Sequence, residues 1–400
     1  MFSPHCVAFA LIVLINVCSK LACAQRQRHG QHESVNAYSF PYLRDNCQGL
    51  WIKPLNKSGD NNAGDRSRCN CTNTSIRCIN LQMKPSPPYY HKEDDADFFL
   101  QLEDKRFQFL EEVTIHGNNL EQLPSHLFGP GVSHTRLRRL NLSANYFVTA
   151  NEGAFNGMPN LEILDLSENE LTLNPNQTRL FEKIPHLREL HLVGAFSSGG
   201  IRNPHENYKA LLHLHNLIKI LEGFPLRRLS KIFLDYNSFT SLPADLACAL
   251  PKLEVLSYSR NFVVDWETRP ECYRNLKLLD LSGNTFFPRW SNETSPGLDF
   301  VNFANSLPRG AEIRLKLCKL VCDCRIHTFA NWLAATTRVT DKSDIFCAEA
   351  YPQKYRNQAL LSVNLTELYC KTSSGLSTLC VQNQLFTILL INLLISVVIL

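Results

Sequence analysis

One phrase, Leu-x-x-Leu-x-Leu-x-x-Asn, recurs seven times along this 400-residue chain and restricts its fold more than any other feature. A clean copy is Leu161-Glu162-Ile163-Leu164-Asp165-Leu166-Ser167-Glu168-Asn169. The closing positions are Asn118, Asn145, Asn169, Asn237, Asn261 and Asn284, with Ala195 where one asparagine is missing. Intervals run from 23 to 27 residues, except for 42 between Ala195 and Asn237. Leucines at fixed offsets point inward, so stacked copies share one core, and the residues between them form an exposed parallel strand. The asparagine carries donors and an acceptor, which suits it to the buried backbone groups where the chain leaves that strand.

A period of this length is that of leucine-rich repeats. It predicts an α/β fold: a leucine-rich-repeat horseshoe solenoid with a concave parallel β-sheet and disulfide-bonded N- and C-terminal caps. A solenoid grows linearly, so most of the chain forms one unit. The formal net charge of +4 is too weak to imply nucleic acid, and no nucleic-acid partner is expected. The fifteen cysteines are clustered, which points to an oxidising compartment once a secretory signal is present.

Residues 1–24 read as that signal peptide. Val7 to Val17 is apolar except for Asn16, and Ala22-Cys23-Ala24 is a cleavage signature. Sequons at Asn56, Asn70, Asn73, Asn141, Asn176, Asn292 and Asn364 predict a glycoprotein. Residues 385–400 are apolar apart from Thr387, Asn392 and Ser396, preceded by the small residues Ser373-Ser374-Gly375 and the spacer 371–384. Those parts match a glycosylphosphatidylinositol signal, with lipid attached at Ser373 or Ser374. A short transmembrane helix is the alternative.

Between the ends, 25–46 is a polar leader, 47–107 the N-terminal cysteine cap and its loop, 108–317 the repeats, and 318–370 the C-terminal cap. An insertion, 196–228, divides the repeats. Tyr208, Leu211, Leu212, His215, Ile218 and Leu221 fall there at helical spacing, predicting a helix whose apolar face packs on the solenoid, with partner binding as the alternative. Cys248 and Cys272 lie almost one repeat apart, so stacking predicts a disulfide on the convex side. Cys318 falls at an asparagine position and is expected to be a buried free thiol. Cys47, Cys69, Cys71 and Cys78 resemble the N-terminal cap of extracellular leucine-rich-repeat proteins, and Cys322, Cys324, Cys347 and Cys370 with Trp332 resemble the C-terminal one. The resemblance implies the pairs Cys47–Cys71, Cys69–Cys78, Cys322–Cys347 and Cys324–Cys370. Such caps cover the apolar cross-section of the end repeats.

The C-terminal cap reads further. Cys347-Ala348-Glu349-Ala350-Tyr351-Pro352-Gln353-Lys354-Tyr355-Arg356-Asn357 resembles the corresponding stretch of the trophoblast glycoprotein family, with Glu349 and Ala350 where the family has a shorter link. Asn141-Leu142-Ser143, the Cys-x-Cys cap and the insertion between two groups of repeats extend the resemblance over about Cys69 to Cys370. It implies a cell-surface glycoprotein that antagonises Wnt/β-catenin signalling at the membrane co-receptor, with roles in adhesion and motility. By the same resemblance Arg77 and Tyr351 are partner-contacting candidates, and Lys354 in the same stretch is added to them. The family carries a transmembrane helix and a cytoplasmic tail, and a lipid-anchor signal at 385–400 would depart from that pattern.

Mid-strand concave positions are read as Thr114, Asn141, Asp165, His191, Phe233, Ser257, Asp280 and Lys316. A glycan on Asn141 would obstruct the N-terminal half of that face and shift binding to a cap, an edge or the C-terminal half, where Phe233 and Tyr236 are exposed aromatics suited to anchoring a partner. No enzyme is expected, because G-x-S-x-G, H-E-x-x-H, P-loop and G-x-G-x-x-G patterns are absent. His213 and His215 would lie on different helix faces, so neither metal nor cofactor is expected. The functional readings are a Wnt-inhibiting signalling modulator, an adhesion or guidance receptor, and a matrix proteoglycan, for which Ser58-Gly59 would serve.

Overall fold

The computed structural model describes residues 69–370 except 73, 81–106, 119–121, 124, 126, 129–132, 197–206, 225, 264, 268 and 285–295. All described residues belong to one compact unit. The expected signal peptide, leader, Cys47, Asn56, Asn73, Asn292, Ser373, Ser374 and hydrophobic tail lie outside them.

Ten short strands form the main sheet: β1 (Asn70–Cys71), β2 (Ser75–Ile79), β3 (Glu112–His116), β4 (Arg139–Asn141), β5 (Ile163–Asp165), β6 (Glu189–His191), β7 (Lys231–Phe233), β8 (Val255–Ser257), β9 (Leu278–Asp280) and β10 (Glu312–Arg314). They lie side by side in chain order, all parallel from β2 onward, with β1 antiparallel to β2. Each strand from β3 buries an apolar side chain at the same register, Val113, Leu140, Leu164, Leu190, Ile232, Leu256, Leu279 and Ile313, and β3 buries Ile115 as well. With the leucines before and after each strand these make one continuous core. Removing such a leucine would cost about 2–5 kcal/mol in lost transfer and cavity terms.

The asparagines form a ladder along one edge of that core. Asn145 shows the unit: its Oδ1 accepts the Asn118 backbone N–H at 3.0 Å, and its Nδ2 donates to the Ile115 and Leu142 carbonyls at 2.6 and 2.8 Å. Asn169, Asn237 and Asn261 repeat it. At Ala195 the rung is missing, yet Asn237 reaches the Ala195 N–H at 3.0 Å, so the ladder resumes directly across the insertion. At the far end Cys318 Sγ donates to the Leu281 carbonyl at 3.3 Å, occupying the asparagine position with a buried free thiol.

The residue before each rung is left-handed. Gly117, Ala144, Glu168, Gly194, Tyr236, Arg260, Gly283 and Leu317 have φ between 52° and 69°. Three are glycine, for which this conformation carries little strain; a side chain there costs about 1–2 kcal/mol.

Inside the insertion, helix α1 spans Asn207–Gly223. Leu214, Leu217, Ile220 and Leu221 are buried with Ile218, whereas Tyr208, Leu211, Leu212 and His215 face outward. The stripe read from spacing is therefore split, and only Ile218 and Leu221 of it pack inward. Two polar residues displace it: Asn216 Nδ2 donates to the Leu173 carbonyl at 2.8 Å, and the His213 ring stacks on Phe196 at 5.5 Å. Phe196 itself is buried and bridges to Leu171, so it belongs to the repeat before the insertion.

Helix α2 (Ala244–Cys248) ends at a disulfide from Cys248 to Cys272. Cys69 is bonded to Cys78 at the N-terminal end, and Cys71 is disulfide-bonded as well. The C-terminal cap pairs strands β11 (Lys319–Cys322) and β12 (Phe346–Ala350), and packs α3 (Pro296–Ser306) against α4 (His327–Ala335) through Phe300, Phe329 and Trp332. Cys322–Cys347 and Cys324–Cys370 tie it together. The cap also closes the sheet edge, where unpaired strand donors would otherwise invite association. The Asp341 carboxylate accepts the Leu315 and Lys316 N–H groups, and the Arg338 carbonyl accepts the Ile313 N–H at 2.8 Å.

Candidate binding face

Strand register sets one residue from every strand into a single row on the open side of the sheet. The row runs Asn70, Arg77, Thr114, Asn141, Asp165, His191, Phe233, Ser257, Asp280, Arg314. Its last member corrects the sequence reading: Arg314, not Lys316, holds the mid-strand position. The rung at Cys318 fixes the frame, placing buried Ile313 and Leu315 on either side of Arg314.

The first four residues of the row contain two sequons, Asn70 and Asn141, three strand spacings apart, or about 15 Å at the usual inter-strand distance. Arg77 lies exposed between them. Asn141 is half-buried and already engaged: its Oδ1 accepts the Ser143 N–H and hydroxyl at 2.9 and 2.7 Å, and its Nδ2 donates to Asp165 Oδ2 at 3.2 Å. Asn364 has a similar local turn with Thr366 and is exposed, as are Asn70 and Asn176.

From β6 onward the row changes character. The His191 and Phe233 rings stack nearly parallel, 4.2 Å apart, both half-buried on the open face. Neighbouring charges neutralise each other. Lys231 Nζ donates to Glu189 Oε1 at 2.7 Å, Lys277 pairs with Glu254 at 2.9 Å, and Arg314 pairs with Glu312 at 3.0 Å and Asp280 at 3.9 Å. The hydrogen bond to Glu312 raises the Arg314 guanidinium further above its ordinary range. Tyr236, three residues beyond Phe233, stands 54% exposed with Arg260 over its ring at 5.1 Å. Phe233 and Tyr236 were visible from the repeat frame. The His191 partner and the Arg260 platform were not, because each comes from a neighbouring repeat. The signal for Arg260 was its place before the rung Asn261.

The cap candidates sit elsewhere. Tyr351 is half-buried, edge-on to Tyr369 at 6.2 Å, and precedes the cis peptide bond to Pro352. Lys354 is exposed and forms an ion pair with Glu367; that hydrogen bond, and then one to Tyr355, hold the Glu367 carboxyl below its ordinary value. Arg77 on β2 and Tyr351 beyond β10 lie at opposite ends of the sheet, so the two do not form one site. Among the described residues no group of histidine, cysteine or carboxylate side chains is placed to hold a metal ion, and no helix is long and apolar enough to cross a membrane.

Comparison with known proteins agrees with this architecture. A family model described as leucine rich repeat matches residues 135–194. Trophoblast glycoprotein of Macaca fascicularis is 26% identical over 313 residues, covering 76% of this chain and 66% of the relative. The mouse protein is 26% identical over 66% of this chain and 61% of its own length, so the chain spans about two thirds or less of these relatives. Bovine keratocan is 27% identical over 208 residues, 52% of this chain and 49% of keratocan. Human 5T4 (Wnt-activated inhibitory factor 1, trophoblast glycoprotein) shares the fold, with a TM-score of 0.57 at 24% identity over 78% of this chain and 100% of that one. Repeat and caps make the chain a leucine-rich-repeat solenoid, and it is similar to trophoblast glycoprotein over most of its length.

Proposed function

We propose that the chain is a cell-surface glycoprotein that binds a protein partner on the C-terminal half of its open sheet face and inhibits Wnt/β-catenin signalling at the membrane co-receptor. One observation carries the choice of face: sequons at Asn70 and Asn141 bracket the N-terminal third of the row, while the His191–Phe233 stack stands open beyond them. Glycans attached there would screen Arg77 and leave β6 to β10 accessible. Aromatic side chains with neutralised neighbours suit the desolvated centre of a protein interface. The inhibitory role rests on the likeness to trophoblast glycoprotein. The residues that follow Ser373 or Ser374 are proposed to be exchanged for a lipid attached at that serine, which release from intact cells by phosphatidylinositol-specific phospholipase C would test.

The functional test is a Wnt-responsive reporter in cells expressing the full chain. Expected is a reduced reporter signal that returns when Phe233 is replaced by alanine. Unchanged reporter output with the parent chain at the surface defeats the inhibitory role. Cell aggregation in its place would favour an adhesion receptor.

A further inference from the structure

Beyond Arg77, which lies between the two sequons, the open face carries a second cation, Arg260, that the charges around it leave uncompensated. Lys231, Lys277 and Arg314 each pair with a carboxylate, but among the described residues no carboxylate lies within ion-pair distance of Arg260. Its guanidinium is instead held over the Tyr236 ring, 5.1 Å from the centroid, and both side chains are exposed. A guanidinium so held keeps its donor fork free for a planar acceptor, and ring and guanidinium need no reorganisation to receive one.

The backbone points to the same pair. Tyr236 (φ 59°) and Arg260 (φ 52°) occupy the left-handed position before the rung, flanked in the adjoining repeats by Gly194 and Gly283. A Cβ on Gly283 would sit 3.0 Å from Arg260 Cγ, and one on Gly194 would lie 4.0 Å from Tyr236 Cβ. The aromatic and the cation therefore rise side by side from a ridge that falls to bare backbone on both sides. Ala144, Glu168 and Leu317 hold the same left-handed position in other repeats, and what sets Tyr236 and Arg260 apart is that ring and guanidinium meet across adjoining repeats with both side chains exposed.

We propose that Tyr236 and Arg260 form a receptor for a single Asp or Glu side chain of the partner protein, beside the apolar anchor on Phe233. This rests on the reading that the C-terminal half of the sheet docks a protein. A single acid fits better than a polyanion, since the other basic side chains around Phe233 are already neutralised.

The test uses the purified full chain and a library of short random peptides displayed on phage, selected in parallel against the parent, Arg260→Gln, Arg260→Lys and Phe233→Ala. Thermal melting of each variant checks that it is folded. Expected is enrichment of Asp and Glu in the peptides selected by the parent, and binding on the order of tenfold weaker to Arg260→Gln. Arg260→Lys should fall between the two. Changing the peptide's acid to its amide should abolish the difference between parent and Arg260→Gln. Selection of no peptides, of peptides without acidic enrichment, or of acidic peptides that bind Arg260→Gln as well as the parent overturns the carboxylate receptor. Acidic peptides that depend on Arg260 but ignore Phe233→Ala overturn the docking face while leaving the receptor standing.

Discussion

Asn237 Oδ1 accepts the Ala195 backbone N–H at 3.0 Å across 42 residues of chain. This bond lets the repeats continue as though the insertion were absent. The same side chain donates to the Leu192 carbonyl at 2.7 Å and the Leu234 carbonyl at 3.0 Å, so it satisfies buried backbone groups on both sides of the interruption.

Asn237→Ala would leave those groups buried without partners. At about 1–3 kcal/mol for each unsatisfied group, the loss should be about 3 kcal/mol or more. In a domain of this size that lowers the melting temperature by roughly 5 °C, measurable by circular dichroism or calorimetry. A shift of under about 2 °C would mean that water replaces the rung without cost.

Tyr236→Gly should behave in the opposite way. Tyr236 is 54% exposed at φ 59°, so the change removes backbone strain and little packing. Stability should stay level or rise by up to about 1 kcal/mol, because relief of left-handed strain exceeds the added entropy of glycine in the unfolded chain. Binding by the same variant should fall, a trade of function against stability. Destabilisation in a denaturant titration would show that the ring supports the fold.

Cys318 should be chemically silent. Its thiol is buried on the Leu281 carbonyl, and burial pushes it well above the ordinary cysteine range, so the nucleophilic thiolate is scarce. Iodoacetamide applied to the native protein should leave the Cys318 peptide unmodified by mass spectrometry, and should label it after denaturation. Labelling in the native state within minutes would contradict this burial.

Acid should weaken one contact in the C-terminal cap. Glu367 has its carboxyl lowered first by the hydrogen bond from Lys354 and then by that from Tyr355. A group lowered on folding contributes stability above its unfolded value and loses it as the pH falls through the folded value. The melting-temperature difference between parent and Glu367→Gln should therefore be largest near neutrality and shrink in the acidic range. Because the pair is exposed, high salt should narrow the difference as well. A difference that grows on acidification would reverse the assignment.

Parts of this molecule could be read from single letters. The rung asparagines, the central leucines and the outward placing of Phe233 all follow from the repeat frame, since each repeat folds against a near copy of itself. Lys316 lies two residues past the mid-strand position, which the same count of four back from the Cys318 rung puts at Arg314. The α1 stripe was misread because its periodicity treats His213 and Asn216 as solvent-facing, whereas both find partners inside.

The sequence by itself determined the solenoid, its period and where that period breaks, because those are properties of short segments repeated in register. Only the tertiary structure decided which side chains meet across repeats. Arg260 over Tyr236, His191 on Phe233 and Asn70 in line with Asn141 each join residues from different strands, brought together by a register no local pattern records. Burial of the shared core holds that register. A slip of one residue would turn every central leucine toward water, so the placement of the binding row follows from the packing beneath it.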